Sequence, residues 1–167
     1  METYTYEGDL HKLTKWAVNR CNDEAPPEPY RSWVRGLMPE NCRGAVRYWV
    51  GVITPESSVL NGWVRGYPHA HVESVNWHPE ATTAVTYLSV ADSGGEFGIG
   101  GTSEDDPYEF INPVPGLTVL MDAVTWHGVK PVHAGTRMAL ITSGPPAIRM
   151  DHLTLSGESR AQSEREP

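Results

Sequence analysis

Cysteine is scarce in this chain: two in 167 residues, Cys21 and Cys42. They form no CxxC pair and no Cys/His array surrounds them, which excludes a zinc-finger scaffold and leaves free thiols in a reducing compartment. Basic residues are also short. Thirteen Lys plus Arg face 21 Asp plus Glu, a formal net charge of −8. That balance argues against a nucleic-acid backbone and against an anionic membrane as main partner, since both need a basic surface. No apolar run approaches the length of a membrane span. The first residues, METYTYEGDL, lack the apolar stretch of a signal peptide. A soluble, cytoplasmic protein is the expectation.

What is present fits one domain of ordinary globular composition, 39% hydrophobic and 20% charged. The domain is expected over residues 1–155, with a helical N-terminal part at 8–22 and a β core at about 45–150. Residues 156–167, charged and nearly free of apolar side chains, read as a disordered tail. In DLHKLTKWAVNRC, Asp9 to Cys21, the residues Leu10, Leu13, Trp16 and Ala17 recur at helical spacing, with Asp9 placed as a cap. APPEPYR, Ala25 to Arg31, reads as an extended proline-rich loop. From Ala45 the texture turns to strands: AVRYWVGVI, ATTAVTYLSV (Ala81 to Val90), GLTVLMDAV (Gly116 to Val124) and RMALITSG (Arg137 to Gly144). SGGE at Ser93 to Glu96 reads as a hairpin, and PVPG at Pro113 to Gly116 as a tight entry to the next strand. One helix followed by many short strands favours a sandwich or a barrel.

The chemistry gathers in YPHAHVESVNW, Tyr67 to Trp77. On a strand, residues i and i+2 share a face, so His71 and Glu73 point the same way. An HxE pair is either an exposed polar edge or two ligands of a divalent metal. A third ligand must come from elsewhere, and His127, in TWHGV after an apolar strand, is the candidate. The plain alternative for His127 is a core or turn histidine. Two histidines and one carboxylate on one face of a metal form the triad of non-haem Fe(II) oxygenases. Arg137 opens an apolar strand, where a guanidinium is costly without a partner, and its planar fork suits a carboxylate. Trp63, Arg65, Tyr67, His69, His71 and Glu73 are all odd-numbered. If one strand runs through them they share a face, with Pro68 able to break the register. Trp63, Tyr67 and His69 are therefore candidate substrate-binding residues.

The order HxE, then His127, then Arg137 ten residues later resembles the Fe(II)/2-oxoglutarate-dependent oxygenases, in particular their prolyl-hydroxylase-like branch. TYLSVADSGGEF, PVPGLTVL and WHGVKPVHAGTR follow that branch's motifs in order, over about Gly66 to Gly144. One departure is HxE where the branch usually has HxD. The resemblance implies a double-stranded β-helix (jelly roll, cupin-like) with the N-terminal helix packed on one sheet. It implies Fe(II) on His71, Glu73 and His127, 2-oxoglutarate held by Arg137, and O2 as oxidant. It also implies a hydrogen bond from Tyr87 to the co-substrate's far carboxylate, against the plain alternative of a core aromatic. The presence of the carboxylate ligand implies hydroxylation or a related oxidation rather than halogenation. The short stretch before the motif favours a small molecule, such as an amino acid or natural-product intermediate. A peptidyl residue, and a cupin-like metal protein without oxygenase activity, are the alternatives. The glycine-rich acidic segment Ser93 to Pro107 is either a flap over the pocket or an ordinary hairpin.

Overall fold

A computed structural model describes residues 1–20, 24–57, 80–100, 109–122 and 125–145 in full, and the backbone of 64–66. The apolar runs of the sequence become the largest strands. β2 (Arg47–Ile53), β4 (Thr82–Ser89), β8 (Leu117–Asp122) and β11 (Arg137–Gly144) join β1 (Glu2–Thr5) in a five-stranded antiparallel sheet, ordered β1-β8-β4-β11-β2. A second antiparallel sheet has the order β3-β9-β6-β7: β3 is Val64–Gly66, β6 Phe97–Ile99, β7 Glu109–Ile111 and β9 His127–Val129. β5 (Ser93–Gly94) pairs with β10 (Val132–Ala134). The expected mainly-β architecture is present. Among the described residues no helix is long and apolar enough to cross a membrane.

Alternation along the central strands divides the core in two. Val85, Tyr87, Val119, Met121 and Ala139 pack against Phe97 and Ile99 of the smaller sheet. From the opposite face, Ala84, Leu88 and Leu140 pack against the helices through Leu13, Ala17, Tyr30, Val34 and Met38. The helical layer, the large sheet and the small sheet are thus stacked, with β4 and β11 in the middle layer.

α1 (Leu10–Asn19) forms where the spacing expects it. The Asp9 carboxylate accepts the Lys12 N–H at 2.8 Å, and Leu13 and Ala17 are buried with Leu10 and Trp16 beside them. A second helix, α2 (Tyr30–Leu37), corrects the reading of Ala25–Arg31 as a loop throughout. The prolines end at Pro29, so none removes an N–H from the helix interior. The Glu28 carboxylate accepts the Ser32 N–H at 3.0 Å and supplies an N-terminal partner that the composition did not announce.

α2 docks through Tyr30, which is fully buried. Its hydroxyl lies 2.8 Å from Thr86 Oγ1 and 3.5 Å from Thr142 Oγ1, and Thr86 lies 2.8 Å from its register partner Thr118. The Tyr6 ring meets the Tyr30 ring edge-on at 5.2 Å.

The SGGE segment is not a hairpin. Asp92 N–H donates to Ala134 O (2.9 Å), Gly95 N–H to Pro131 O (3.1 Å), Lys130 N–H to Glu96 O (2.9 Å) and Gly100 N–H to Trp126 O (2.7 Å). Residues 92–100 therefore run as one ladder against 126–134, bending as they pass from the two-stranded to the four-stranded sheet. Gly94 and Gly95, at φ 78 and 77, make the bend; a Cβ on Gly94 would lie 2.1 Å from Pro131 O. Phe97 and Ile99 are core residues, so this part of Ser93–Pro107 is no flap; residues 101–108 lie outside the described set.

Burial pushes the Tyr30 phenol up from 10.0 to about 12, partly offset by the threonine hydroxyls. Below pH 10 the phenol is neutral in both states, so the stability it contributes is fully present. Between about 10 and about 12 only the unfolded chain ionises, and that contribution is lost at about 1.4 kcal/mol per pH unit. Denaturant unfolding across this range should show Tyr30→Phe with a shallower alkaline loss than wild type. The same variant should cost about 1 kcal/mol near neutrality through the lost hydrogen bonds. Equal alkaline slopes would contradict the burial argument.

Candidate metal and anion site

Arg137 is the first residue of β11 and is 5% exposed. Its side chain lies on the same face as Ala139, toward the small sheet, because the two are i and i+2. Ala139 is the register partner of Tyr87 on β4, which makes Arg137 and Tyr87 a diagonal cross-strand pair. The guanidinium carbon stands 5.0 Å from the Tyr87 ring centroid, and Nη2 donates to the Tyr87 hydroxyl at 3.4 Å, a long bond. Nε is buried and has no acceptor among the described residues, and no described carboxylate forms an ion pair with Arg137. Burial raises the Tyr87 phenol, with the Arg137 charge and hydrogen bond opposing, so Tyr87 enters the site as a neutral hydroxyl.

His127 opens β9, between Gly66 of β3 and Ile99 of β6. Burial holds its imidazole below the ordinary range, against the raising effect of the hydrogen bond it donates to the Thr125 carbonyl. The ring is therefore neutral at physiological pH. Nδ1 lies 2.8 Å from Thr125 O and takes the donor role toward it, which assigns the lone pair to Nε2, the arrangement typical of a metal-ligating histidine.

Phe97 stands between these two groups. Its ring lies 5.8 Å from the His127 ring and 6.4 Å from the Tyr87 ring. Arg137, Tyr87, Phe97 and His127 thus form a continuous run from the large sheet to the small one. Sequence reasoning missed Phe97. The signal was its place after the two glycines, where the strand resumes facing the core.

Of the residues expected at the site, the structure brings together Arg137 and Tyr87 and places His127 one aromatic ring away. His71 and Glu73, the other two expected metal ligands, and the substrate candidates Trp63, Tyr67 and His69 lie outside the described residues. Among the described residues there is no group of three metal-ligating side chains. The backbone does put the end of β3, Gly66, opposite His127, and the HxE segment follows Gly66 closely in sequence. His11 and His133 are exposed.

No protein-family model matches the chain, and no curated protein matches it in sequence. Three solved structures to which it is similar are 2-oxoglutarate/Fe(II) oxygenase and prolyl hydroxylase structures. A 2OG-Fe(II) oxygenase family oxidoreductase from Burkholderia pseudomallei is 24% identical, with TM-score 0.35, over 40% of this chain and 30% of that one. A Pseudomonas putida prolyl-4-hydroxylase is 17% identical, with TM-score 0.45, over 62% and 53%. A viral collagen prolyl hydroxylase from Paramecium Bursaria Chlorella virus-1, in a truncated form, is 15% identical, with TM-score 0.44, over 71% and 65%. The chain spans less than two thirds of each of these structures.

A buried guanidinium with an orphaned Nε lowers the stability of the ligand-free protein. Replacing a buried, incompletely paired charge with an apolar side chain of similar volume is often neutral or stabilising by about 1–4 kcal/mol. Arg137→Met should therefore unfold at the same or a higher temperature than wild type. A loss of more than about 2 kcal/mol would show that Arg137 is held by a structural partner.

Proposed function

We propose that the protein is an Fe(II)- and 2-oxoglutarate-dependent dioxygenase that hydroxylates, or otherwise oxidises, an unactivated C–H bond of a small molecule. One observation carries this reading: a nearly fully buried arginine with an unsatisfied Nε, backed by a tyrosine hydroxyl, one aromatic ring from a neutral, partly buried histidine. The motif order in the sequence supports it. A double-stranded β-helix at about 45–150, within a single domain of residues 1–155 and with 156–167 as a tail, belongs to the same reading.

The donors suit the groups the reading requires. His71, Glu73 and His127 would hold the iron: two imidazoles and a carboxylate suit a divalent iron and leave positions open for co-substrate and oxygen. Iron bound with 2-oxoglutarate and O2 supplies the oxidising power. The rest is the work of this chain's side chains. Burial keeps His127 unprotonated, and the Thr125 carbonyl fixes its ring, so no proton competes for the ligating nitrogen. Arg137 receives the far carboxylate of 2-oxoglutarate, which pairs the charge and gives Nε its acceptor. Tyr87 donates its hydroxyl to the same carboxylate. Phe97 and the neighbouring core residues keep water from the space between the sheets, which strengthens the ionic contact.

Anaerobic addition of Fe(II) and then 2-oxoglutarate should produce the weak visible charge-transfer absorption of the chelate. His127→Ala should lose it. Arg137→Lys keeps the charge but loses the fork, and should bind 2-oxoglutarate about ten- to a hundredfold more weakly, the worth of one charge-assisted hydrogen bond. Arg137→Leu should bind more weakly still while retaining iron. Unchanged 2-oxoglutarate affinity in Arg137→Leu would refute the co-substrate assignment and leave a cupin-like metal protein. Succinate release across a panel of amino acids, natural-product intermediates and proline-containing peptides tests the substrate class. Stimulation by peptides alone would replace the small molecule with a peptidyl residue.

A further inference from the structure

β4 and β11 do not pair in one unbroken register. From Gly144 opposite Thr82 to Ala139 opposite Tyr87 the pairing is regular, but Met138 then pairs with Ser89. Leu88 is one residue too many on β4, a bulge beside the start of β11. Its effect shows in what each side chain meets. Before the bulge, Val85 and Tyr87 face the small sheet, while Ala84 and Leu88 face the helices. After it the parity reverses, and even-numbered Val90 packs against the small-sheet core. β11 keeps its own alternation, with Met138 and Leu140 toward the helices and Ala139 toward the small sheet.

The bulge decides what stands beside Arg137. A regular register would set Ser89 opposite Arg137, on the small-sheet face. A hydroxyl there could accept from the guanidinium. The register that pairs Met138 with Ser89 sets Val90 opposite Arg137 instead. Ser89 Oγ donates to the Thr136 carbonyl at 3.0 Å, on the residue just before Arg137. Ala91 follows Val90, and an added Cβ on Gly95 would stand 3.4 Å from Ala91 Cβ and 3.6 Å from Arg137 Cδ. The stem of Arg137 thus lies near small groups with no acceptor side chain, and its Nε is left unpaired.

We propose that Ser89 is a positioning residue for the anion site. Its bond to the Thr136 carbonyl ties the bulge to the backbone that carries the guanidinium. The serine hydroxyl is thereby turned away from Arg137, and Nε is kept open for a carboxylate. This rests on the reading of Arg137 as the anchor of the far carboxylate of 2-oxoglutarate.

Ser89→Ala removes the bond at a half-buried position and should melt near the wild-type temperature. It should bind 2-oxoglutarate about three- to tenfold more weakly, the worth of one neutral hydrogen bond, with Fe(II) affinity unchanged. Ser89→Thr keeps the hydroxyl and should restore the wild-type affinity. NMR of the Arg137 Nε–H, in protein without iron or co-substrate, gives a second readout. That proton should exchange with solvent faster in Ser89→Ala and at the wild-type rate in Ser89→Thr. If Arg137→Leu leaves 2-oxoglutarate affinity unchanged, the functional reading fails, and the Nε–H exchange alone decides the role of Ser89. If Arg137→Leu weakens binding and Ser89→Ala does not, the positioning role is wrong. An unchanged Nε–H exchange rate in Ser89→Ala would overturn it too. So would equal losses of iron and 2-oxoglutarate affinity, which mark a general loosening.

Discussion

The two-residue period of the central strands is the constraint on which the rest of the structure depends. β4, β8 and β11 must satisfy two unlike layers at once. Their even-numbered residues meet helices, and there Thr86 and Thr142 meet the Tyr30 hydroxyl while Thr118 bonds Thr86. Their odd-numbered residues meet the small sheet, and there Tyr87 and Arg137 stand opposite Phe97. A slip of one residue in β11 would send Arg137 into the helix layer and Thr142 toward the small sheet. Keeping the threonine row satisfied on one face therefore also fixes the register that positions the guanidinium on the other.

The two polar features of the core are treated differently. The tyrosine–threonine cluster is closed, with each hydroxyl hydrogen-bonded within it, and acts to lock α2 to the sheet. Arg137 is left open, with a long contact to Tyr87 and an unpartnered Nε. A buried polar group that is half satisfied is a cost to the folded state. Such a cost is tolerated where the missing partner arrives as a ligand, which is how strain and function come to share a site. The ladder of 92–100 against 126–134 links the parts, since it carries both Phe97 and His127 and bends at Gly94–Gly95.

Much of this was legible in the sequence where a physical signal was long enough to register. β11 begins and ends where RMALITSG does, and α1 starts at the residue after Asp9, because apolar periodicity and a cap mark them unambiguously. The burial of Arg137 was legible for the same reason, a charge inside an apolar run. α2 was not, because prolines ahead of a helix look like a loop until Glu28 is seen accepting from Ser32. SGGE misled because glycines with positive φ serve a bend within a ladder as well as a reversal; only the partner strand, distant in sequence, tells them apart. Strands of two to four residues, such as β1, β3, β5, β7 and β10, are too short for a period of two to show. Phe97 escaped for that reason as well.

The account rests on a metal held by His127 together with the HxE segment, close to an anion site at Arg137. X-ray absorption at the iron edge, on protein loaded anaerobically with Fe(II), reads the ligands directly. The account predicts scattering from two imidazoles and oxygen donors in wild type, one imidazole fewer in His127→Ala, and an unchanged first shell in Arg137→Leu without co-substrate. An iron spectrum that His127→Ala leaves unaltered would contradict it.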